Sequence, residues 1–165
     1  MLSSARIENF QELAIVGAHL RGFPLNYQLL NVDAKFGRSA KTARAYRLYE
    51  LPSSNQLRKP GLKRVLSTEE GASIHVEVWK LSDEALGRLM GFVPPPLAIG
   101  SVELEDGSWI KGFVCEAWGF EGARDITSFG GWKNYITSLT PVLTKDENDL
   151  SSSAPSPSIQ STRSK

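Results

Sequence analysis

The sequence has little of what builds disulfide frameworks, zinc sites or membrane spans. Its 165 residues include one cysteine, Cys115, and two histidines, His19 and His75. One cysteine excludes an internal disulfide, and two histidines would need carboxylates to complete a zinc ligand set. No apolar run approaches the roughly 18 residues of a membrane helix, and residues 1–10 are too polar for a signal peptide. We therefore expect a cytoplasmic protein without metal, other cofactor or membrane contact.

The sequence also lacks a large excess of positive or negative charge. Lysine and arginine number 19 and aspartate and glutamate 18, so the formal charge of +1 excludes a protein that coats polyanions. Residues 35–64 nevertheless carry nine basic residues and one acidic residue, and residues 69–125 carry eleven acidic and four basic ones. A basic segment with interleaved aromatics is typical of a nucleic-acid-binding strip. Because the acidic segment can neutralise it in space, we expect a solvated surface and no nucleic-acid partner.

Length and composition fit one folded domain between two flexible ends. The chain is 41% hydrophobic and 9% aromatic, which is enough to form a core. Residues 145–165 are rich in serine, contain two prolines and lack aromatics, so they predict a disordered tail. We expect a flexible lead over residues 1–11 and a domain over residues 12–144.

Apolar patterning predicts an α+β fold. Apolar runs or apolar–polar alternation predict strands over residues 13–16, 45–51, 73–80, 99–104 and 109–116. The last two flank a turn at residues 105–108 and predict a hairpin. One helix is expected to begin after the capping residue Ser82 and to end before the prolines at 94–96, and a second short helix is expected to include Trp132. These elements predict a small, mixed, barrel-like sheet with flanking helices.

The first predicted strand leads directly into a loop that contains Gly17, His19 and Gly22. Successive backbone amides in such a turn can point at one spot and hold an anion. Histidine is also the side chain most often used for proton transfer near neutral pH. A strand followed by a turn with glycine and histidine is equally common without a site, so the residues alone leave both interpretations open.

Six segments together resemble the C-terminal domain of allophanate hydrolase. In chain order they are residues 16–29, 45–51, 60–62, 71–81, 96–104 and 125–132. The match runs over about residues 13–139, nearly all of the predicted domain. The resemblance implies a fold similar to that of the γ-glutamylcyclotransferases, a small barrel with flanking helices.

The resemblance also implies a pocket at the end of the first strand. A small dicarboxylate would be bound there by the loop residues Gly17, Ala18, His19 and Leu20. The loop reads Tyr-Gly-Ser-Asn-Leu in the cyclotransferases and Val-Gly-Ala-His-Leu here. The glutamate base of the cyclotransferases has no counterpart in residues 90–96, and closing a 5-oxoproline ring needs a base, so we do not expect that activity.

In chemical terms, the resemblance implies a role in the second half of allophanate breakdown. In that family an amidase domain releases ammonia and leaves N-carboxycarbamate, and the C-terminal domain is associated with its decarboxylation to carbamate. His19 would protonate the nitrogen as carbon dioxide leaves, or would orient a carboxylate. Asn26 and Tyr46 are expected as further ligand contacts.

The residues leave open whether the chain is an enzyme. As an enzyme, the chain would act in urea catabolism, either as a decarboxylase (a lyase) or as a component of a hydrolase. Nothing in it matches the Ser-Ser-Lys catalytic set of the family's amidase, so the chain looks like a free-standing version of the domain or a domain excised from a longer protein. The alternative is a non-catalytic module that binds or scaffolds an amidase-family partner. The oligomeric state is open.

Other conspicuous residues are expected to be structural. We expect Cys115 to be a buried, inert thiol, and His75 and Glu77 to form an exposed polar strand face. The four tryptophans are expected in the core and at its rim.

Overall fold

Two β-sheets share one hydrophobic core in the computed structural model, which describes residues 9–54 and 56–140. The strands are β1 Phe10–Ile15, β2 Lys35–Lys41, β3 Tyr46–Glu50, β4 Pro60–Arg64, β5 His75–Ser82, β6 Leu97–Glu103, β7 Trp109–Cys115 and β8 Arg124–Asp125. The helices are α1 Asn26–Asn31, α2 Asp83–Met90 and α3 Trp132–Leu139, with 3-10 turns at Ala117–Phe120 and Thr127–Phe129. None of the described helices is long and apolar enough to span a membrane.

The larger sheet is mixed and the smaller one is antiparallel. The strand order is β2-β5-β1-β7-β6 in the first sheet and β4-β3-β8 in the second. β1 is antiparallel to β5 and parallel to β7. The sheets are joined where the Tyr46 hydroxyl accepts a hydrogen bond from the Glu103 N–H at 2.8 Å. This arrangement confirms the predicted α+β class, with the sheet divided into two parts around one core.

The central position of β1 explains its continuous apolar sequence. β1 is the third of five strands, and residues 13–16 are at most 3% exposed. A strand with neighbours on both edges and covered faces needs apolar side chains on both faces. The end of β1 therefore lies deep in the molecule, and the loop that follows it begins inside the fold rather than on its surface.

The predicted helix start and turn are present. The Ser82 hydroxyl accepts a hydrogen bond from the Ala85 N–H at 3.1 Å and caps α2. In the turn between β6 and β7, Gly107 has a φ of +83°, a value that favours glycine. The Asp106 carboxylate there accepts hydrogen bonds from the N–H and hydroxyl of Ser108. Local sequence is sufficient to specify both features.

The structure differs from the sequence predictions at several elements. β2 was not predicted because its first five residues are exposed, so backbone pairing with β5 rather than apolar alternation specifies it. β1 begins at Phe10, inside the predicted lead, because Phe10 is in register with Ser82. Cys115 is partly exposed, not buried. The predicted tail, residues 145–165, lies outside the described residues.

Candidate functional site

A cavity of about 200 Å³ lies at the end of β1. Its lining brings together the loop after β1, helix α1, the start of β4, the segment after α2, and strands β6 and β7. The lining residues are Ile15, Val16, Gly17, Ala18, His19, Leu25, Gln28, Leu57, Lys59, Pro60, Phe92, Val93, Pro94, Leu97 and Phe113. This is the place where the sequence predicted a pocket.

In the loop after β1, the backbone carbonyls accept hydrogen bonds from the protein, whereas the backbone N–H groups have no acceptor among the described residues. The carbonyls of Gly17, Ala18 and His19 accept hydrogen bonds from the Leu20 N–H, the Leu25 N–H and the Asn26 Nδ2, at 2.9, 2.8 and 2.8 Å. Within the described residues, the N–H groups of Gly17, Ala18 and His19 donate to no protein acceptor. Buried N–H groups normally have a partner. Three consecutive donors are therefore available to a ligand.

The loop can take this path only because residue 17 is glycine. A Cβ placed on Gly17 would lie 2.2 Å from Cγ and 2.5 Å from Cδ of Pro60, the first residue of β4. These distances are far below a van der Waals contact, and the proline ring is rigid. Close approach of the backbone to Pro60, rather than an unusual φ, is thus the reason for glycine here.

His19 is held firmly in the cavity wall. It is only 9% exposed, and its Nε2 lies 2.8 Å from Oε1 of Gln28. The imidazole also stacks on the Phe113 ring, with 5.0 Å between centroids and 22° between planes. Burial lowers the pKa of His19 from its ordinary value, and the hydrogen bond to Gln28 opposes this effect more weakly. The ring is therefore neutral at neutral pH.

One charged side chain lines the cavity in the described part of the chain. It is Lys59, and no aspartate or glutamate among the described residues contributes to the lining. Lys59 forms no ion pair within the described part of the chain. A cavity with free amide donors, one ammonium group and no carboxylate favours a small anion.

The structure brings only some of the predicted site residues together. Gly17, Ala18 and His19 line the cavity, whereas Leu20 does not, and its N–H is already bonded to Gly17. Asn26 contacts the loop rather than the cavity, because its side chain holds the His19 carbonyl. Asn26 therefore supports the loop.

The structure places Tyr46 outside the lining of the cavity. The side chain does point inward, but inward from β3 leads into the core between the two sheets, where Tyr46 is 1% exposed. Its hydroxyl accepts hydrogen bonds from the Glu103 N–H at 2.8 Å and Arg64 Nη1 at 3.2 Å. Strand alternation identified the correct face but could not distinguish the core from the cavity.

Sequence reasoning missed three cavity residues, Gln28, Lys59 and Phe113. Gln28 and Phe113 contact the His19 ring, and Lys59 carries the charge. Gln28 belongs to no motif that indicates a site, and Phe113 has the pattern of an ordinary apolar strand residue. Lys59 was interpreted as part of the basic segment at residues 35–64. Only the pairing of distant strands and the packing of α1 bring them together.

A second, more open depression surrounds His75, and we call it the His75 groove. It has a volume of about 330 Å³ and is lined by Leu20, Arg21, Phe23, Ser39, His75, Val76, Glu77, Gly131, Trp132, Lys133 and Asn134. His75 is exposed as expected, but Glu77 is mostly buried. The Glu77 carboxylate accepts hydrogen bonds from Arg21 N, Arg21 Nε and Trp79 Nε1 at 3.1, 2.9 and 3.1 Å. Its acceptors are thus occupied by the protein.

Fold and cavity together define a small α+β domain with one buried histidine at the end of its first strand. The family model of the allophanate hydrolase C-terminal domain matches residues 11–137. The chain belongs to this family.

Three proteins similar to this chain contain the domain in chains of very different length. The urea amidolyase of Lachancea kluyveri is 48% identical over 134 residues, which is 80% of this chain and 7% of that protein. The allophanate hydrolase of Kluyveromyces lactis is 46% identical with a TM-score of 0.77, over 80% of this chain and 22% of that one. The uropathogenic E. coli-specific protein c4763 is 34% identical with a TM-score of 0.71, over 80% of this chain and 99% of that one.

Proposed function

We propose that the domain binds N-carboxycarbamate, or a similar small dicarboxylate, and assists its decarboxylation in urea and allophanate metabolism. The observation that carries this proposal is the cavity at the end of β1, where three unpaired amide donors lie beside His19 and Lys59. The similarity to a urea amidolyase and an allophanate hydrolase supports the choice of substrate. The chain spans only 7% and 22% of those relatives, so their whole activities are not transferred to it.

The chemistry of the substrate matches the donors in the cavity. N-carboxycarbamate carries two carboxylates on one nitrogen and has the shape and charge of malonate. The amides of Gly17, Ala18 and His19 would hold one carboxylate, and the Lys59 ammonium would attract the other. When carbon dioxide leaves, the C–N bond breaks and its electron pair remains on nitrogen. That nitrogen must take up a proton, and His19 is the titratable group placed to deliver it.

The described lining of the cavity contains no carboxylate, which argues against the cyclotransferase reaction. Closing a 5-oxoproline ring requires a base for the attacking amine, and the cyclotransferases use a glutamate as that base. The carboxylate-free lining that disfavours this reaction is suited to a dianion, because no like charge repels it.

Carbon dioxide release tests the proposal directly. Purified protein is added to an allophanate-consuming amidase, and the rate of carbon dioxide release is measured. We expect acceleration by the wild-type chain, loss of that acceleration in His19→Ala, and retention in the matched variant His75→Ala. In parallel, millimolar malonate should give heat in calorimetry and raise the thermal stability by mass action. Folded protein that neither binds malonate nor accelerates release would contradict the proposal.

A non-catalytic role as a partner module of an amidase is the second candidate. It is favoured by the small share that the matched region occupies in the urea amidolyase, where most of the protein lies outside this domain. The match to almost the whole of c4763 shows, however, that the domain also occurs in a chain of about its own size. A scaffold role predicts that surface substitutions disrupt a complex with an amidase, whereas His19→Ala leaves that complex intact.

A further inference from the structure

The position of the proton on His19 follows from its neighbour. A carboxamide oxygen accepts hydrogen bonds and cannot donate them. Because Oε1 of Gln28 lies 2.8 Å from Nε2, the neutral imidazole must carry its proton on Nε2. Nδ1 is then the nitrogen with the lone pair, and no described residue donates to it.

The contact between Gln28 and His19 belongs to a rigid local unit. Helix α1 begins at Asn26, whose side chain donates to the His19 carbonyl at 2.8 Å, and the Leu25 N–H donates to Ala18. The start of the helix is thus bound to the loop just before Gln28. The Phe113 ring from β7 prevents the imidazole from tilting away. Gln28 and His19 therefore keep their relative orientation without a ligand.

No anion faces the ring to keep it protonated. Among the described residues that line the cavity, Lys59 from the segment before β4 is the only other charged or titratable group. Tyr27 on α1 is 53% exposed and does not line the cavity, and Arg21 is paired with Glu77 in the His75 groove. β6, β7 and the segment after α2 contribute only apolar side chains. An incoming dicarboxylate would be the first negative charge near Nδ1.

We propose that Gln28 is a positioning residue that holds His19 as the Nε2–H tautomer, so that a bound dicarboxylate draws one proton from solvent onto Nδ1. This inference rests on the proposed function. The imidazolium would donate Nδ1–H to a ligand carboxylate while Nε2–H stays on Gln28. In decarboxylation that same proton would pass to the nitrogen as carbon dioxide leaves, and His19 would return to its neutral form. The proton taken up at binding is the one that the product retains.

Proton uptake has a measurable consequence for affinity. A nearby opposite charge favours the charged form of a histidine, so the ligand raises the pKa of His19. Between the pKa values of the free and bound states, malonate affinity should fall about tenfold for each pH unit of increase. A site that binds through amides and Lys59 alone would show no such dependence near neutral pH.

The test uses the full chain with malonate as the probe. Nitrogen-15 NMR of the two histidines, assigned with His75→Ala, reports the tautomer and the protonation of His19. We expect Nε2–H in the wild type, a mixed tautomer in Gln28→Leu, and protonation at higher pH in Gln28→Glu, where a carboxylate replaces the carboxamide. Calorimetry in two buffers of different ionisation enthalpy should show uptake of about one proton per malonate by the wild type. Gln28→Glu should take up far less, because its ring is already charged.

The possible failures are distinguishable. An Nδ1–H tautomer in the wild type, or a tautomer and a pKa that do not respond to either Gln28 variant, would overturn the positioning role. Malonate binding without proton uptake would overturn the proton step alone. If Gln28 sets the tautomer but malonate does not bind, the proposed function fails together with the proton step. Far-UV circular dichroism of both variants verifies that they are folded.

Discussion

The two histidines of this chain show how strongly local surroundings determine chemistry. His19 is 9% exposed, bonded through Nε2 and stacked on an aromatic ring. His75 is exposed at the start of β5, and its described hydrogen bond is made by its backbone N–H to the Gly130 carbonyl. The His19 ring is held by a hydrogen bond and a stacking contact, whereas the His75 side chain is exposed. Residue type alone does not separate them.

The same contrast extends to the surroundings of each ring. In the cavity at His19, the N–H groups of Gly17, Ala18 and His19 have no protein acceptor and the Lys59 ammonium has no ion pair within the described residues. In the His75 groove, Arg21 and Glu77 satisfy one another, and the Arg21 guanidinium lies 3.5 Å from the centroid of the Phe36 ring. The larger of these two depressions thus has Arg21 and Glu77 paired with each other, whereas the smaller cavity offers unpaired amide donors. Available donors, rather than volume, point to the site.

Breaking the loop before His19 should have the largest effect. Gly17→Val would drive a branched side chain into Pro60, so malonate binding should be lost and the free energy of unfolding should fall by about 1–3 kcal/mol. Chemical denaturation and calorimetry measure the two effects.

Gly87→Ala is the matched control for that substitution. Gly87 lies inside α2, and no other group comes within 4 Å of the position that an alanine Cβ would take there. Alanine should therefore stabilise the fold by about 0.5–1 kcal/mol and leave malonate binding unchanged. If Gly17→Val bound malonate normally, the close contact with Pro60 would not be what shapes the loop.

Acid should reduce the stability of the fold through the buried His19. Burial lowers the pKa of His19 below the ordinary value of 6.5. As the pH falls through that ordinary value, the unfolded chain gains a proton at His19 before the folded chain does, so stability decreases until the lower, folded-state pKa is reached. Unfolding free energies from about pH 7.5 to about pH 5 should therefore fall less steeply in His19→Gln than in the wild type. An equal slope in the two proteins would contradict the assignment.

The burial of His19 follows from where its loop begins. The loop starts at the end of a central strand, so the ring lies inside the fold. The apolar run at residues 13–16 predicted the strand, and Gly17 and His19 predicted the loop. Sequence could not show that α1 and β7 would close over the ring.

Features that depend on residues close in sequence were predictable, whereas features that depend on contacts between distant segments were not. The cap at Ser82 and the turn with Gly107 depend on neighbours in the chain and were predicted. β2 depends on pairing with β5, and Lys59 reaches the cavity only because β4 passes Gly17. Tyr46 shows the same limit, since its inward face was predictable but the neighbours of its side chain were not.

The smallest expected effect on malonate affinity comes from the lysines, one at the cavity and one at the His75 groove. Their comparison is the most sensitive test of the difference between the two depressions. Lys59 is half-buried at the cavity, and Lys133 is exposed at the His75 groove. Partly solvated charge contacts contribute little, so Lys59→Gln should weaken malonate binding about two- to fivefold. A higher salt concentration should reduce the malonate affinity of the wild type more than that of Lys59→Gln. Salt screens the attraction between the Lys59 ammonium and malonate, and the variant lacks this attraction. Lys133→Gln makes the same change in net charge away from the cavity and should leave affinity unchanged. Equal losses in both variants would mean that malonate responds to overall charge, and Lys59 would then have no direct role in binding.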